Sequence, residues 1–162
     1  MPRILVTGAT GFAGSHLVER LPADAHVAAW ARARGRTAGS TRPGVEWRSL
    51  ELLDREAVTQ AIADAAPDIV YHLAGAPHVG SSFDNPTQPL AINALGTHNL
   101  LSAIEHEARD ARVVVVTSAM VYGASDAPHT ESSRMAPGSP YRLSKLGQDR
   151  LAAGPGGGRV GT

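Results

Sequence analysis

The 162-residue sequence contains no cysteine, so neither a disulfide framework nor thiolate chemistry is available to it. Its net charge is zero, because 15 lysine and arginine residues balance 15 aspartate and glutamate residues. A neutral chain argues against a nucleic acid or an anionic membrane held by charge. No apolar run approaches membrane-spanning length, and no signal-peptide pattern precedes the first apolar segment. These absences predict a soluble, cytoplasmic protein.

Short apolar segments alternate with longer helical patterns along the chain. Strands are predicted at Arg3–Thr7, His26–Ala31, 45–50, 68–73 and in the segment ARVVVVTS, and helices at 12–21, 54–65, 90–107 and 141–153. Apolar strands that alternate with helices form parallel sheets covered on both faces. The pattern therefore predicts an α/β fold, a Rossmann-type doubly wound sheet with strand order 3-2-1-4-5. One domain is expected over residues 1–153, followed by a glycine-rich tail, 154–162, expected to be disordered.

Three glycines in the segment ILVTGATGFAGSHLVERL stand three residues apart, between the first strand and the first helix. Gly8 would make a tight turn, Gly11 would let the backbone approach a pyrophosphate, and Gly14 would let the helix lie close to the strand. The helix N-terminus would supply N–H donors and a favourable dipole for the phosphates. A plain strand-to-helix turn also uses glycine, but the place of this loop at the start of the strand–helix series favours a dinucleotide site.

The segments TGATGFAG, YHLAGAPHVGSSFDNP, NALGTHNLLSAI, TSAMVYG and SPYRLSKLGQDRLA follow one another in this order. Together they resemble the extended short-chain dehydrogenase/reductase family of nucleotide-sugar epimerases, dehydratases and reductases, over nearly the whole chain to about Ala153. The resemblance implies a nicotinamide cofactor bound along the loops that follow the strands. The implied contacts are Gly8, Thr10, Gly11, Phe12, Ala13, Gly14, Arg32, Glu51, Leu52, Leu73, Ala74 and Gly75, with Tyr141 and Lys145 at the reacting end.

The end of the second strand distinguishes NAD from NADP, because an acid there binds the ribose hydroxyls and an arginine binds the 2′-phosphate. Ala31 occupies the family's acidic position, and Arg32, Arg34 and Arg36 follow. This arrangement favours NADP, with NAD as the alternative cofactor and a solvated basic loop as the plainer interpretation. Glu51 stands where the family usually has an aspartate near the adenine.

The candidate catalytic residues are Tyr141, Lys145 and Ser118. Tyr141 and Lys145 lie four residues apart, on one face of the last predicted helix. An ammonium close to a phenol favours the phenolate, so the tyrosine can serve as general acid or base. The resemblance implies that Lys145 also binds the nicotinamide ribose and that Ser118 holds the substrate oxygen, with Thr117 as the alternative hydroxyl. Ser81 is a candidate substrate contact, with loop capping as its alternative role.

The residues after Ser118 help to separate activities within this family. Family 4,6-dehydratases carry an acid there, whereas Ala119 and Met120 cannot do acid–base work. Hydride transfer at a single sugar carbon is therefore expected, as in a 4-keto reductase or a 4-epimerase. The alternatives are a 4,6-dehydratase and a non-catalytic dinucleotide-binding fragment, since family members are substantially longer.

Further expectations concern partners and metals. The resemblance implies a homodimer through helices 4 and 5 of the family, and it gives Asn93 either a packing or a catalytic role. The histidines show no metal-binding spacing, so no metal site is predicted. His72 lies in an apolar strand and His78 in the following loop, and both are interpreted as core or surface histidines.

Overall fold

A computed structural model describes residues 1–32, 42–77, 79–154 and 160–161 of the chain. Within these ranges a six-stranded parallel sheet has the order β3-β2-β1-β4-β5-β6. The strands are β1 (Arg3–Thr7), β2 (His26–Ala31), β3 (Val45–Ser49), β4 (Ile69–His72), β5 (Arg112–Val115) and β6 (Val160–Gly161). The predicted Rossmann-type order 3-2-1-4-5 is confirmed.

The helices cover the sheet between these strands. They are α1 (Phe12–Arg20), α2 (Arg55–Ala65), α3 (Ser81–Asp84), α4 (Thr87–Pro89), a π-helix (Leu90–Leu95), α5 (Gly96–Glu107), a 3₁₀-helix (Ala119–Val121) and α6 (Pro140–Ala152). Asp54 and Ser139 cap α2 and α6 through their side-chain oxygens, and each helix begins within one residue of its predicted start. None of the helices described here combines the length and the apolar character needed to cross a bilayer.

The centre of the sheet is buried on both faces, as β1 shows residue by residue. Leu5 packs into a cluster with Val58 of α2 and Leu100 of α5, whereas Ile4 packs on the opposite face with Val18 of α1. Alternation of side chains along a strand produces this division. Each fully buried aliphatic side chain contributes roughly 1.5–3 kcal/mol, so the two clusters hold the helices against the sheet.

The predicted helix 90–107 differs from the structure in its first turns. Leu90–Leu95 is a π-helix, and the backbone N–H of Gly96 donates to the carbonyl of Ala91, five residues earlier. The hydroxyl of Thr97 donates to the carbonyl oxygen of Asn93 at 2.6 Å, so a side chain satisfies that backbone acceptor. Asn93 in this turn bonds to Ala76 and to Ser144, which are distant in the sequence. Such contacts leave no trace in the helical periodicity.

The glycine-rich tail was expected to be disordered, but Val160–Gly161 adds strand β6 to the sheet. β6 pairs parallel with β5, with Val113 opposite Val160 and Val114 opposite Gly161. The open edge of β5 offers backbone donors and acceptors to any adjacent segment, which outweighs the weak strand propensity of the tail. The remaining tail residues, 155–159 and 162, lie outside the described residues.

Candidate active site

A cleft of about 780 Å³ lies at the carboxyl ends of β1, β2 and β4. This edge of a doubly wound sheet is where such folds bind ligands. The cleft brings together every cofactor contact that the sequence predicted apart from Tyr141 and Lys145. Its predicted lining residues are Gly8, Thr10, Gly11, Phe12, Ala13, Gly14, Arg32, Glu51, Leu52, Leu73, Ala74 and Gly75. Lining residues that sequence reasoning missed are Thr7, Trp30, Ala31, Leu50, Leu53, Pro77, Ile92 and Val116.

Two glycines of the first loop are required by the backbone around them. Gly8 has a φ of +69°, and a Cβ there would lie 2.7 Å from the backbone nitrogen of Ala74. A Cβ at Gly14 would overlap the carbonyl oxygen of Gly8 and lie 2.8 Å from the Cα of Ala9. The loop can therefore turn tightly against the β4 loop while α1 starts directly beside it.

The N-terminus of α1 opens into the cleft. Its N-cap, Gly11, provides no side-chain hydrogen bond, and the first turn contains no acidic residue. Phe12, Ala13 and Gly14 line the cleft, and the first-turn N–H groups of a helix have no acceptor within it. Uncapped N–H groups and a positive helix dipole fit the pyrophosphate of a dinucleotide.

The end of β2 supplies the charge that borders the cleft. Ala31 ends the strand, and both Ala31 and the exposed Arg32 line the cleft together with Glu51. A carboxylate is absent at position 31, as the sequence indicates. Arg34 and Arg36 lie outside the described residues.

Lys145 on α6 lies beside the cleft, where two lining residues approach it. Its ammonium donates to the carbonyl oxygen of Val116 at 3.2 Å and to Oε1 of Gln148 at 2.7 Å. A Cβ at Gly75 would lie 3.5 Å from Nζ, so the ammonium lies close to this residue of the cleft lining. Lys145 is 8% exposed, and burial lowers its pKa to about 8.

The other two predicted catalytic residues lie on α6 and at the start of the 3₁₀-helix that follows β5. Tyr141 is one turn before Lys145 on α6 and is 8% exposed. Ser118 caps the 3₁₀-helix, and its hydroxyl accepts from the backbone N–H of Met120 at 3.3 Å. α6, which carries Tyr141 and Lys145, packs against the 3₁₀-helix that Ser118 caps. None of the three belongs to the cleft lining given above.

Asn93 connects the loop after β4 with α6. Its Oδ1 accepts from the backbone N–H of Ala76 at 2.7 Å, and its Nδ2 donates to the hydroxyl of Ser144 at 2.9 Å. Both groups of the amide are thus engaged by the protein itself, which supports the packing role that sequence reasoning considered.

The segment between β4 and α4 contains the predicted substrate contact Ser81 and the loop histidine His78. Ser81 begins α3, and its side chain lies outside the described part of the structure, as does His78. The neighbouring Ser82 is buried, and its hydroxyl donates to the carbonyl of Val79, which is a capping contact. Across the described ranges, no group of three potential ligands among histidine and acidic side chains is close enough to hold a metal ion.

A buried hydrogen-bond network beneath the cleft was not predicted. His72 bonds through Nδ1 to the hydroxyl of Thr7 at 2.7 Å and through Nε2 to the hydroxyl of Thr97 at 2.8 Å. Nε2 of Gln148 also reaches the Thr97 hydroxyl, at 3.0 Å, and its Oε1 accepts from Lys145. Burial first, and then the charge of Lys145, lower the pKa of His72 to about 3. We call these five side chains the Thr97 network; in the sequence, only the spacing of Lys145 and Gln148 by three residues hints at it.

The fold and the glycine loop define a dinucleotide-binding domain of the Rossmann class. A family model described as "NAD dependent epimerase/dehydratase family" matches residues 4–154. The chain belongs to this family.

Curated relatives include enzymes with different activities on nucleotide sugars. The chain is 35% identical over 156 residues to GDP-mannose 4,6-dehydratase sdnI of Sordaria araneosa, covering 91% of the chain and 29% of the relative. It is 34% identical over 153 residues to UDP-glucose 4-epimerase of Mycolicibacterium smegmatis, covering 89% and 48%. The chain thus spans half or less of the length of these relatives.

Among solved structures, the chain is similar to the UDP-glucose 4-epimerase of Brucella ovis in complex with NAD. The TM-score is 0.86 at 26% identity, and the match covers 94% of this chain and 47% of that one. The similarity therefore extends over nearly all of this chain and about half of the other.

Proposed function

We propose that this chain binds a nicotinamide dinucleotide in the cleft and acts as the cofactor-binding and catalytic part of an oxidoreductase for nucleotide-activated sugars. The observation that carries the proposal is the assembly of the predicted cofactor contacts around one cleft, with the Lys145 ammonium beside it. Membership of an NAD-dependent family and similarity to a UDP-glucose 4-epimerase in complex with NAD support it.

The proposed roles follow from the chemistry of each side chain. The nicotinamide, when bound, exchanges a hydride with one sugar carbon. Tyr141 takes the proton from the sugar hydroxyl on that carbon, or returns it in the reverse direction. The ammonium of Lys145 stabilises the phenolate formed on Tyr141, and the hydroxyl of Ser118 donates to the sugar oxygen.

The residues after Ser118 support simple hydride transfer over water elimination. Elimination needs an acid or base at the carbons next to the oxidised one, and Ala119 and Met120 are exposed groups without that capacity. We therefore propose a 4-keto reductase or a 4-epimerase, although GDP-mannose 4,6-dehydratase is among the relatives.

We further propose NADP as the preferred cofactor. Arg32 is exposed at the cleft edge immediately after β2, where a 2′-phosphate would lie, and no carboxylate competes for the ribose at Ala31. The bidentate geometry of a guanidinium suits a phosphate.

The first test is a titration of the chain with NADPH and with NADH. Trp30 lines the cleft, so quenching of tryptophan fluorescence reports binding. We expect NADPH to bind more tightly, and Arg32→Ser to weaken NADPH about tenfold or more while changing NADH little, because a charged hydrogen bond is lost. Arg112→Ser is the matched control, since Arg112 lies at the amino end of β5, away from the cleft.

Each outcome of this titration decides a different point. Equal affinities of the unchanged chain for the two dinucleotides would contradict the NADP assignment but support the site. Binding of neither would contradict the proposed function of this chain.

A further inference from the structure

The ammonium of Lys145 is held by two acceptors among the described residues. One is the backbone carbonyl of Val116, and the other is the side-chain amide of Gln148, which lies one turn further along α6. A primary ammonium has three N–H groups, and these two acceptors engage two of them. A buried ammonium without acceptors would be costly, so these two contacts decide where the charge lies.

The amide of Gln148 has one defined orientation. The hydroxyl of Thr97 has a single hydrogen, which it donates to the carbonyl oxygen of Asn93 at 2.6 Å. Thr97 must therefore accept from its other neighbours, which are Nε2 of Gln148 and Nε2 of His72. With its nitrogen turned to Thr97, Gln148 can only present its oxygen to Lys145.

The rest of the network fixes His72 in one tautomer. Because Nε2 donates to Thr97, the neutral ring accepts at Nδ1 from the hydroxyl of Thr7. That hydroxyl in turn accepts from the backbone N–H of Ala74 at 3.2 Å. Thr7 and Ala74 both line the cleft, so the network joins the cofactor edge of the sheet to Lys145.

We propose that Gln148 is a positioning residue: its amide oxygen, oriented by the Thr97 hydroxyl, holds the Lys145 ammonium beside the cleft. The importance of that position for catalysis rests on the proposed function. The contact between Gln148 and Lys145 rests on the hydrogen bonds alone. A neutral amide suits this task, because it accepts from the ammonium without forming a buried ion pair that would compete with a ligand.

Several ionisable side chains lie on the elements next to Lys145. His72 on β4 has its pKa lowered to about 3 and is neutral across the range in which Lys145 titrates, and Tyr141 is one turn earlier on α6. Asp84 on α3 and His98 on α5 belong to helices that pack against α6. Among the described residues, no carboxylate forms an ion pair with Lys145. Lys145 is also the only lysine of the sequence, so isotope labelling of lysine gives one signal.

The experiment is a pH titration of the chain carrying ¹³C at the lysine Cε, produced without a lysine-containing tag. We expect the wild-type signal to titrate near pH 8. Gln148→Leu removes the acceptor from the charged form, so its midpoint should fall by about one pH unit. Gln148→Glu replaces the amide with a carboxylate, so its midpoint should rise by about one unit. Gln60→Leu is the matched control, because Gln60 is an exposed helical glutamine bonded to Asp64, and its midpoint should not move.

A second variant keeps the proposal testable if Gln148→Leu does not fold. Thr97→Val leaves Gln148 in place but removes the hydroxyl that orients its amide, so the midpoint should fall by a smaller amount than in Gln148→Leu. Circular dichroism identifies the variants that fold. Folded Gln148→Glu and Thr97→Val chains that both titrate like wild type would overturn the proposal.

The same variants separate this proposal from the proposed function. Shifted midpoints in a chain that binds neither NADPH nor NADH would support the positioning role and contradict the function. Normal dinucleotide binding with unshifted midpoints would support the proposed function and contradict the positioning role of Gln148.

Discussion

At the scale of single residues, two opposing effects act on the charge of Lys145: burial disfavours the ammonium, and its hydrogen-bond acceptors favour it. Burial lowers its pKa to about 8, yet this value still leaves most of the side chain protonated at pH 7. The bonds to Val116 and Gln148 compensate part of the lost hydration. The charge is thus kept in a poorly hydrated place, where it acts on a neighbouring group more strongly than it would in water.

Tyr141→Phe tests the proton-transfer role that this charge is proposed to support. Removing the phenolic oxygen should lower turnover of a panel of nucleotide sugars by about 10²–10⁴-fold and leave dinucleotide binding intact, because the general acid or base is lost. Oxidation or reduction of the dinucleotide at 340 nm is the measurement. Tyr71→Phe is the control, since Tyr71 packs on the α1 face of β4 and does not line the cleft.

Two results would contradict the assignment at different points. Unchanged turnover in Tyr141→Phe would remove Tyr141 from the mechanism. A chain that binds the dinucleotide but turns over none of the sugars would act as a non-catalytic dinucleotide-binding domain.

At the scale of elements, the glycine loop and α1 form one tightly packed unit. Gly14 lies in the first turn of α1 directly against Gly8 and Ala9, and no side chain would fit there. The same close contact sets the helix N-terminus at the cleft. Both the packing of α1 and the position of its N-terminus at the cleft therefore depend on the absence of a side chain at Gly14.

Gly14→Ala should destabilise the fold by about 1–3 kcal/mol through overpacking, and it should weaken dinucleotide binding as the helix start moves. Urea unfolding and the fluorescence titration measure the two effects. Gly80→Ala is the control, because a Cβ at Gly80 meets no atom within 4 Å, and we expect a change within about 0.5 kcal/mol. Equal stabilities of the two variants would show that the loop adjusts at little cost.

The elements also show which parts of the structure a sequence can predict. The starts of α2 and α6 follow from Asp54 and Ser139, whose capping chemistry is local. The π-helix Leu90–Leu95 and the strand β6 depend on partners far along the chain, so local pattern gives no signal for them. Thr97 and Gln148 were missed for the same reason: each has an ordinary helical environment until the fold brings α5 and α6 together.

At the scale of the whole molecule, the stability should depend on pH through His72. Its folded pKa is about 3 against 6.5 for an ordinary histidine, so the unfolded chain binds an additional proton between these values. Stability is therefore full above about pH 6.5 and falls as the pH is lowered through this range.

The expected loss from His72 between pH 7 and pH 5 is about 2 kcal/mol. Urea unfolding at both pH values measures it, and His72→Gln should lose correspondingly less, since the carboxylates contribute equally to both chains. The same pH dependence in the two chains would contradict a neutral buried His72.

The overall sheet and the place of the cleft could be predicted from the sequence better than any single element or contact. Apolar strands such as β1, with Leu5 on one face and Ile4 on the other, need cover on both sides, and that requirement leads to the doubly wound sheet. The place of the cleft follows from the sheet order, because the loops that follow β1, β2 and β4 all begin at the same edge of the sheet. The placement of Tyr141 and Lys145 relative to Ser118 did not follow, since it depends on how α6 packs against the 3₁₀-helix.

The Thr97 hydroxyl has a consequence for proton movement. It accepts hydrogen bonds from His72 and from Gln148, and its one hydrogen points to the carbonyl of Asn93. A proton leaving Lys145 would meet the amide oxygen of Gln148, whose nitrogen already donates to Thr97. The Thr97 hydroxyl donates to Asn93 and so has no hydrogen to pass to His72, and no Grotthuss transfer runs from Lys145 to His72. The Thr97 network therefore fixes the orientation of Gln148 without conducting protons between Lys145 and His72.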